Sequence, residues 1–335
     1  MTGQGGLAAR IDDLRARDLD GLVEEAWRVR GLRWGHRLVV STPSPHAYAT
    51  PDHRNRPGAW AQFSVTGQAC ALGCEHCGAS ILGMMEDARS PEHLVEECRR
   101  RASAGGLEGV LVSGGSDAEG SVPLGSYIDA LGRLKGMGLK VLVHTGLVDD
   151  ELARGFARAG VDLAMTDVIG SRDVACRVCH LDRPPEAWEG TLSSLVRAGV
   201  PVAPHIVAGL DAGSMGHEWR ALATSLAARP AMLVVIVLVP TAGTGLAGAE
   251  PPAPGDVVRL LAVARVAGPD VPLALGCVKP SGALRAPIER GAVDAGANAV
   301  AYPLPATVAH ARRRGLDVAF DDRCCALLGA PVTRP

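Results

Sequence analysis

Aromatic side chains make up only 3% of this 335-residue chain, and its charges nearly cancel, with 34 Lys and Arg against 36 Asp and Glu. A net charge of −2 leaves no electrostatic footprint for nucleic acid or an anionic membrane. The most apolar run, residues 231–239, is far short of the roughly 20 residues that a membrane helix needs, and reads as a buried strand. No basic stretch followed by an apolar core opens the chain, so no signal peptide is expected and the expected setting is the cytoplasm. Internal repeats and low-complexity segments are also missing. The abundance of Ala and Gly fits a GC-rich coding sequence and says little about function. What is present is a 47% hydrophobic composition, enough for a sizeable core, and nine cysteines. Without export signals, that many thiols suggest a reducing compartment and metal ligation rather than a disulfide framework.

Residues 7 to 30 place Leu7, Ile11, Leu14, Leu19, Leu22, Val23, Ala26 and Trp27 at helical spacing, which predicts one or two amphipathic helices. A short strand is expected at 38–40, and residues 41 to 59, rich in Ser, Pro, Asn and His, read as a long connection. Short apolar runs then fall at 63–65, 110–112, 141–143, 163–168, 202–207, 232–239, 273–275 and 299–302. Helical stretches lie between them, near 91–104, 123–136, 149–159, 186–198, 216–228, 256–267, 284–295 and 305–314. Eight strands, each followed by a helix, predict an α/β fold of the (β/α)8 TIM-barrel type. An open doubly wound sheet also alternates in this way, but eight units favour closure. The expected division is an N-terminal helical extension and connection at 1–59, a barrel at 60–315 and a cysteine-bearing tail at 316–335.

One stretch dominates the chemistry: Cys70-Ala-Leu-Gly-Cys74-Glu-His-Cys77, directly after the first barrel strand. Three thiolates at this spacing can wrap one face of a cube-shaped iron–sulfur cluster and leave one iron open. Zinc would need a fourth ligand at once, and no Cys or His follows at finger-like spacing. Barrel enzymes place their sites in the loops after the strands, so other polar insertions at strand ends face the same mouth. These are Ser113-Gly-Gly-Ser-Asp117, His144-Thr-Gly146, Thr166-Asp167 and His205. Cys98 falls inside a helix and reads as a small buried hydrophobe. Cys277 ends the seventh strand, Cys324 and Cys325 lie in the tail, and Cys176 and Cys179 sit in the long connection after strand four. A second iron–sulfur cluster built on Cys277, Cys324 and Cys325 is expected, with Cys176 or Cys179 as further ligands. The competing reading of Cys176 and Cys179 is a redox pair, or thiols without a role.

The cysteine spacing resembles that of the radical S-adenosylmethionine (SAM) superfamily, whose three cysteines hold a 4Fe–4S cluster and whose open iron is chelated by SAM. The resemblance implies that His76 takes the position of an aromatic residue before the last cysteine. It also implies that Ser113, Gly114, Gly115 and Ser116 receive the SAM amino group, although Ser116 replaces the usual Glu. Asp167 is then a candidate for the ribose diol or the substrate, against a helix-capping role. Pro204-His-Ile-Val-Ala-Gly-Leu210 resembles the strand beside adenine, with Ile206 as the apolar contact, Gly209 in the turn and His205 as a candidate proton donor or a satisfied strand histidine. Further phrases, Val143-His-Thr-Gly-Leu147, Thr166-Asp-Val-Ile-Gly170, Leu275-Gly-Cys-Val-Lys-Pro280 and the terminal Cys-Cys pair, are similar to the two-protein lipoyl synthases, which resemble biotin synthase in architecture. That likeness implies sulfur insertion into a protein-bound acyl chain, a lipoyl-carrier-type protein substrate, a second radical SAM protein, and an electron donor such as ferredoxin or flavodoxin. Cys176 and Cys179 depart from the expected pattern. A radical SAM mutase, epimerase or dehydrogenase without sulfur transfer, and a non-catalytic iron–sulfur scaffold, remain the alternatives.

Overall fold

A computed structural model describes residues 4–328. Its helices are α1 (Gln4–Arg15), α2 (Leu19–Trp34), α3 (Pro91–Ser103), α4 (Ile128–Gly136), α5 (Asp150–Ala159), α6 (Arg172–Cys179), α7 (Glu186–Arg197), α8 (Glu218–Ala227), α9 (Pro254–Ala267), α10 (Arg285–Asp294) and α11 (Pro305–Arg313). Its strands are β1 (Arg37–Ser41), β2 (Trp60–Ser64), β3 (Glu86–Asp87), β4 (Gly109–Ser113), β5 (Lys140–Thr145), β6 (Leu163–Asp167), β7 (Val202–Ala208), β8 (Leu233–Val237), β9 (Leu273–Leu275), β10 (Ala299–Ala301) and β11 (Asp317–Asp321). All ten ladders are parallel, in the spatial order β11-β1-β10-β9-β8-β7-β6-β5-β4-β2-β3. The eight expected units are therefore β2, β4 and β5 to β10, each followed by a helix and each beside its sequence neighbour. A parallel sheet needs such crossovers, and they bury one of its faces.

The curl differs from a closed barrel at one seam. Among the described residues no ladder joins β1 or β11 to β2 or β3. Side chains from the 41–59 connection and the tail stitch the gap instead. Ser44 Oγ donates to the Trp60 carbonyl at 3.0 Å and accepts from its N–H at 2.7 Å. Asp322 accepts from Thr42 at 2.9 Å and from the Arg56 backbone N–H at 3.0 Å, and His53 lies 2.9 Å from it. Asn55 donates to the carbonyls of Thr42 and His46. A segment that reads as a mere connection is thus the mortar of the seam.

Strand side chains alternate between two faces, and two cores result. The outer one packs Val110, Val112, Val141, Val143, Val202, Ile206, Val235 and Val237 against the helices. The inner one holds Leu142, Leu163, Met165, Ala203, Val234, Ala274, Ala299 and Ala301. Several inner positions carry only Ala, and the space they leave is filled from the tail. The tail runs up β11, then turns inward, and its 3-10 turn Cys325–Leu327 packs against β6, β8 and β10. Of the tail expected at 316–335, residues 329–335 lie outside the described residues.

The helices start where the local chemistry directs. Ser90 caps α3 by accepting from His93 N, with Pro91 pre-set at the first turn. Asp149 caps α5 through Leu152 N, and Gly160 ends it in the left-handed region. Helices α1 and α2 lie outside the curl against α8, α9 and α10. Arg30 anchors α2 there, its fully buried guanidinium donating to the carbonyls of Gly35, Arg37 and Ala297. No described helix is long and apolar enough to cross a membrane.

Candidate iron–sulfur and cofactor site

The inward positions of the strands change character toward the C-terminal end of the sheet. On β5 the inner set runs Leu142 then His144; on β6 it runs Leu163, Met165, Asp167; on β7 it runs Ala203, His205. Three polar side chains therefore ring an apolar floor. His144 Nε2 stands 3.7 Å from Asp167 Oδ1, in ion-pair range but beyond a hydrogen bond, and the His144 and His205 rings meet edge-on at 5.5 Å. Asp167 keeps 40% of its side-chain surface accessible although protein surrounds it on every side. That surface faces the space inside the curl. Its Oδ1 has no hydrogen-bond partner, nor has the buried Nδ1 of His76.

Electrostatics sort these groups. Burial opposes the Asp167 charge, but His144 and the other two histidines outweigh it and hold the carboxyl down at about 2. Burial likewise works against charge on His144, and Asp167 overcomes it, so that ring is raised. His205 goes the other way, lowered to about 4 by burial and by the charge on His144. Its Nδ1 lies 3.0 Å from the Ala203 carbonyl, which assigns the proton to Nδ1 and leaves Nε2 as an acceptor. Of the two sequence-based readings of His205, proton donor or satisfied strand histidine, this contact favours the second.

The cysteine loop follows β2 and is a chain of turns, with Gly67, Gly73 and Gly78 at positive φ. It is held from two sides. From the β4 end, Gly115 N donates to Thr66 Oγ1 at 2.7 Å, and the Ser116 carbonyl accepts from Ala71 N at 2.8 Å. A Cβ on Gly115 would lie 2.0 Å from the Ala69 carbonyl oxygen and 2.6 Å from Cys70 Cα. Gly115 is therefore needed for the loop to seat at all. Ser113 Oγ donates to the His144 carbonyl, and Asp117 folds its own loop by accepting from Glu119 N and Ser121 N. From the other side comes α6, which the sequence reads as a loop. Glu75 N donates to the Val178 carbonyl at 2.8 Å, and His180, in the left-handed region after α6, contacts the Leu72 carbonyl at 2.7 Å and Glu75 at 2.8 Å.

Within the loop Cys74 is buried while Cys70 and Cys77 are half-buried. The Cys74 thiol is pushed up, first by its hydrogen bond with Cys179. Cys77 is pushed up to about 12 by its bond with Cys74 and by burial. Burial disfavours charge on His76, but Cys77 and Asp167 outweigh it and the ring is raised.

The remaining cysteines separate into two places. Cys277, Cys324 and Cys325 lie toward the mouth of the curl, near enough to influence one another, with Cys324 also feeling His144, although their sulfurs do not gather within 4.8 Å of one another. Of the adjacent pair, Cys324 is lowered because Cys325 donates to it, and Cys325 is raised as the donor. A pocket of about 450 Å³ lined by His46, Tyr48, Cys277, Lys279, Arg285 and Tyr302 opens beside them. A larger groove of about 970 Å³ over Glu119, Asp149, Arg158 and Arg183 holds none of these groups. Cys176 and Cys179 do not join the three. Cys176 faces outward, its thiol 3.4 Å from Asp182, while Cys179 lies beside Cys74 and His76. Their expected place as further ligands of a second cluster is corrected, because one thiol sits at the surface beside Asp182 and the other beside Cys74 and His76. Cys98 is fully buried in the outer core, as a small hydrophobe.

Two further placements bear on the strand after α7. Ile206 has no exposed surface and packs outward with Val202 and Ala208. It cannot contact a ligand in the mouth; Val207 shares the side of His205. Gly209 turns the chain at φ +76°, and its N–H donates to the fully buried Glu218, which also accepts from Gly216 N. His144 is the residue that sequence reasoning left without a role. Its signal was a lone histidine two positions past Leu142 on an inward-facing parity.

Comparison with known proteins fits this geometry. Residues 64–212 match the Radical SAM superfamily. The chain is similar to the biotin synthases of Halorhodospira halophila (28% identical over 210 residues, 62% of this chain and 64% of that protein) and Gluconacetobacter diazotrophicus (31% over 139 residues, 41% and 43%). These matches span less than two thirds of either relative's length. A Synechococcus biotin synthase is 24% identical over 276 residues, covering 79% of this chain and 80% of that protein. Among solved structures, methylornithine synthase superposes with a TM-score of 0.61 at 15% identity, covering 92% of this chain and 93% of that one. The FeFe-hydrogenase maturase HydG of Carboxydothermus hydrogenoformans gives 0.61 at 13% identity, covering 95% and 79%. At such identities the likeness concerns the fold alone.

Proposed function

The chain carries a radical SAM superfamily domain over residues 64–212, and from that premise we propose that it uses SAM to activate an unreactive C–H bond and inserts sulfur there. Cys70, Cys74 and Cys77 would hold a 4Fe–4S cluster, and Cys277, Cys324 and Cys325 a second iron–sulfur cluster acting as sulfur donor. The donor sets suit the groups: all six are thiols, the usual iron–sulfur ligands. The accessible edge of the Asp167 carboxylate, beside His144, suits a polar ligand in the space inside the curl. When bound, the first cluster supplies the electron that cleaves SAM to a 5′-deoxyadenosyl radical.

The chain's own residues do the positioning. Asp167, ionised and held through Oδ1 by His144, offers the accessible remainder of its carboxylate to a hydroxyl of the nucleoside or substrate. His205 stays neutral, with Nε2 free to accept a hydrogen bond. The apolar floor of Leu142, Met165 and Val234 excludes water beneath them. The observation that carries the sulfur reading is the meeting of Cys277 with Cys324 and Cys325, nearly fifty positions later in the chain, at the same mouth. The relatives named biotin synthase support the same reading. A lipoyl synthase-like reaction on a carrier-bound acyl chain, with a ferredoxin or flavodoxin as electron donor and a second radical SAM protein as partner, is the specific form we favour.

Anaerobic reconstitution with iron and sulfide, followed by iron counting and Mössbauer spectroscopy, tests it. A Cys70/Cys74/Cys77→Ala triple variant is expected to keep a cluster. If it keeps none, the protein has a single cluster, sulfur donation falls, and a hydrogen-transfer or mutase reaction takes its place.

A further inference from the structure

We propose that Cys179 is a fourth, displaceable thiolate ligand of the cluster at Cys70, Cys74 and Cys77, occupying the open iron until SAM takes it. The proposal rests on the reading of those three cysteines as cluster ligands and deepens it.

The Cys179 Sγ, the Cys74 Sγ and a ring nitrogen of His76 all lie within 4.8 Å of one another. Cys179 is only 5% exposed and packs at the edge of the outer core, yet a thiol and an imidazole also stand within that distance of its sulfur. Cys98 shows the contrast, being fully buried and part of no such group of ligating side chains among the described residues. His76 adds a second sign of a ligand site, because its Nδ1 is buried without a partner. The position of Cys179 is also fixed. It ends α6, whose last carbonyls receive Glu75 N and the Cys74 thiol, and whose successor His180 grips the loop at Leu72 and Glu75. The thiol is thus carried on a helix bolted to the same loop that bears the other three.

A cube of four irons takes four terminal ligands, and the loop supplies three. A fourth thiolate completes the set and keeps the labile corner from being lost to oxidation. The exchange balances without redox chemistry. Cys179 gives up its proton when it binds iron. When SAM's amino and carboxylate groups take the iron, the thiolate leaves and is reprotonated. Only SAM binding then uncovers the reactive corner, so the cluster is guarded while no cofactor is present.

The test compares reconstituted wild type with Cys179→Ala, Cys179→Ser and, as a control facing outward, Cys176→Ala. Without SAM, Mössbauer spectra of wild type and Cys176→Ala are expected to show four like, sulfur-coordinated irons, and both Cys179 variants one distinct iron. Adding SAM should bring the spectra together. Ferricyanide oxidation without SAM should convert the Cys179 variants to the 3Fe–4S form, read by electron paramagnetic resonance, about fivefold or more beyond wild type. Identical spectra and equal 3Fe–4S yields in wild type and variants would overturn the proposal. So would a single zinc or iron ion bound by Cys74, His76 and Cys179 in the reconstituted protein. Should the variants fail to bind iron, the wild-type spectrum decides: a distinct fourth iron without SAM overturns the proposal. Failure of wild type itself to form a cluster would bring down the underlying cluster reading, and this one with it.

Discussion

His205 sits where two constraints meet, a strand position facing inward and a neighbour, His144, whose protonated form is favoured by Asp167. Its lowered value of about 4 against the usual 6.5 has a consequence for stability. Between those values the unfolded chain binds the proton and the folded chain does not, so stability rises with pH across that window. His205→Gln is expected to flatten this slope in denaturant titrations between pH 4 and 6.5, by up to about 3 kcal/mol at the acid end. Asp167 gives a second prediction. Asp167→Asn should weaken SAM binding to the cluster-loaded protein by about tenfold to a hundredfold, measured by equilibrium dialysis, since a charged acceptor is lost. At this scale the sequence was partly legible. Polar residues at strand ends marked Asp167 and His205. Which parity faces inward was not visible from the fifth strand alone, where every residue is apolar or able to be buried. Ile206 was therefore assigned to the wrong side by one position.

The cysteine loop is positioned by elements that lie far from it in sequence. Gly115 is the tightest of these contacts. Gly115→Ala is expected to displace the loop and cut the iron bound on reconstitution to about a third or less, at near-normal helical content by circular dichroism. Gly114→Ala meets nothing nearer than a Val65 methyl at 3.0 Å and should bind close to the wild-type amount. The eight βα units were legible because a buried parallel strand reads as a short apolar run and its helix as a 3.6-residue pattern. Helix α6 was not, although Ser171 caps it through Val174 N and Asp173 stands in its first turn. It spans eight residues, little more than two turns, too short for periodicity to stand out. Strand β11 escaped notice for a similar reason, being short, polar at both ends and half-buried.

The molecule as a whole is a curl closed by side chains and plugged by its own tail. Ala326 is 1% exposed among the small residues of the inner core. Ala326→Leu should lower stability by about 1–3 kcal/mol in thermal or urea unfolding, because the inner wall has no room for the added atoms. Neither the seam nor the destination of the tail could be read from the sequence. Local patterns report which face of an element is buried, and they are silent on which distant segments come to rest against it.

The inward-turning tail also orders the making of the protein. Residues 322–328 leave the ribosome after every strand of the curl, so the centre stays empty while the wall is being laid down. The Cys70–Cys77 loop emerges early and can meet an iron–sulfur carrier while synthesis continues. Cys324 and Cys325 reach Cys277 only afterwards, so these three thiols come together last, once the wall around them is complete.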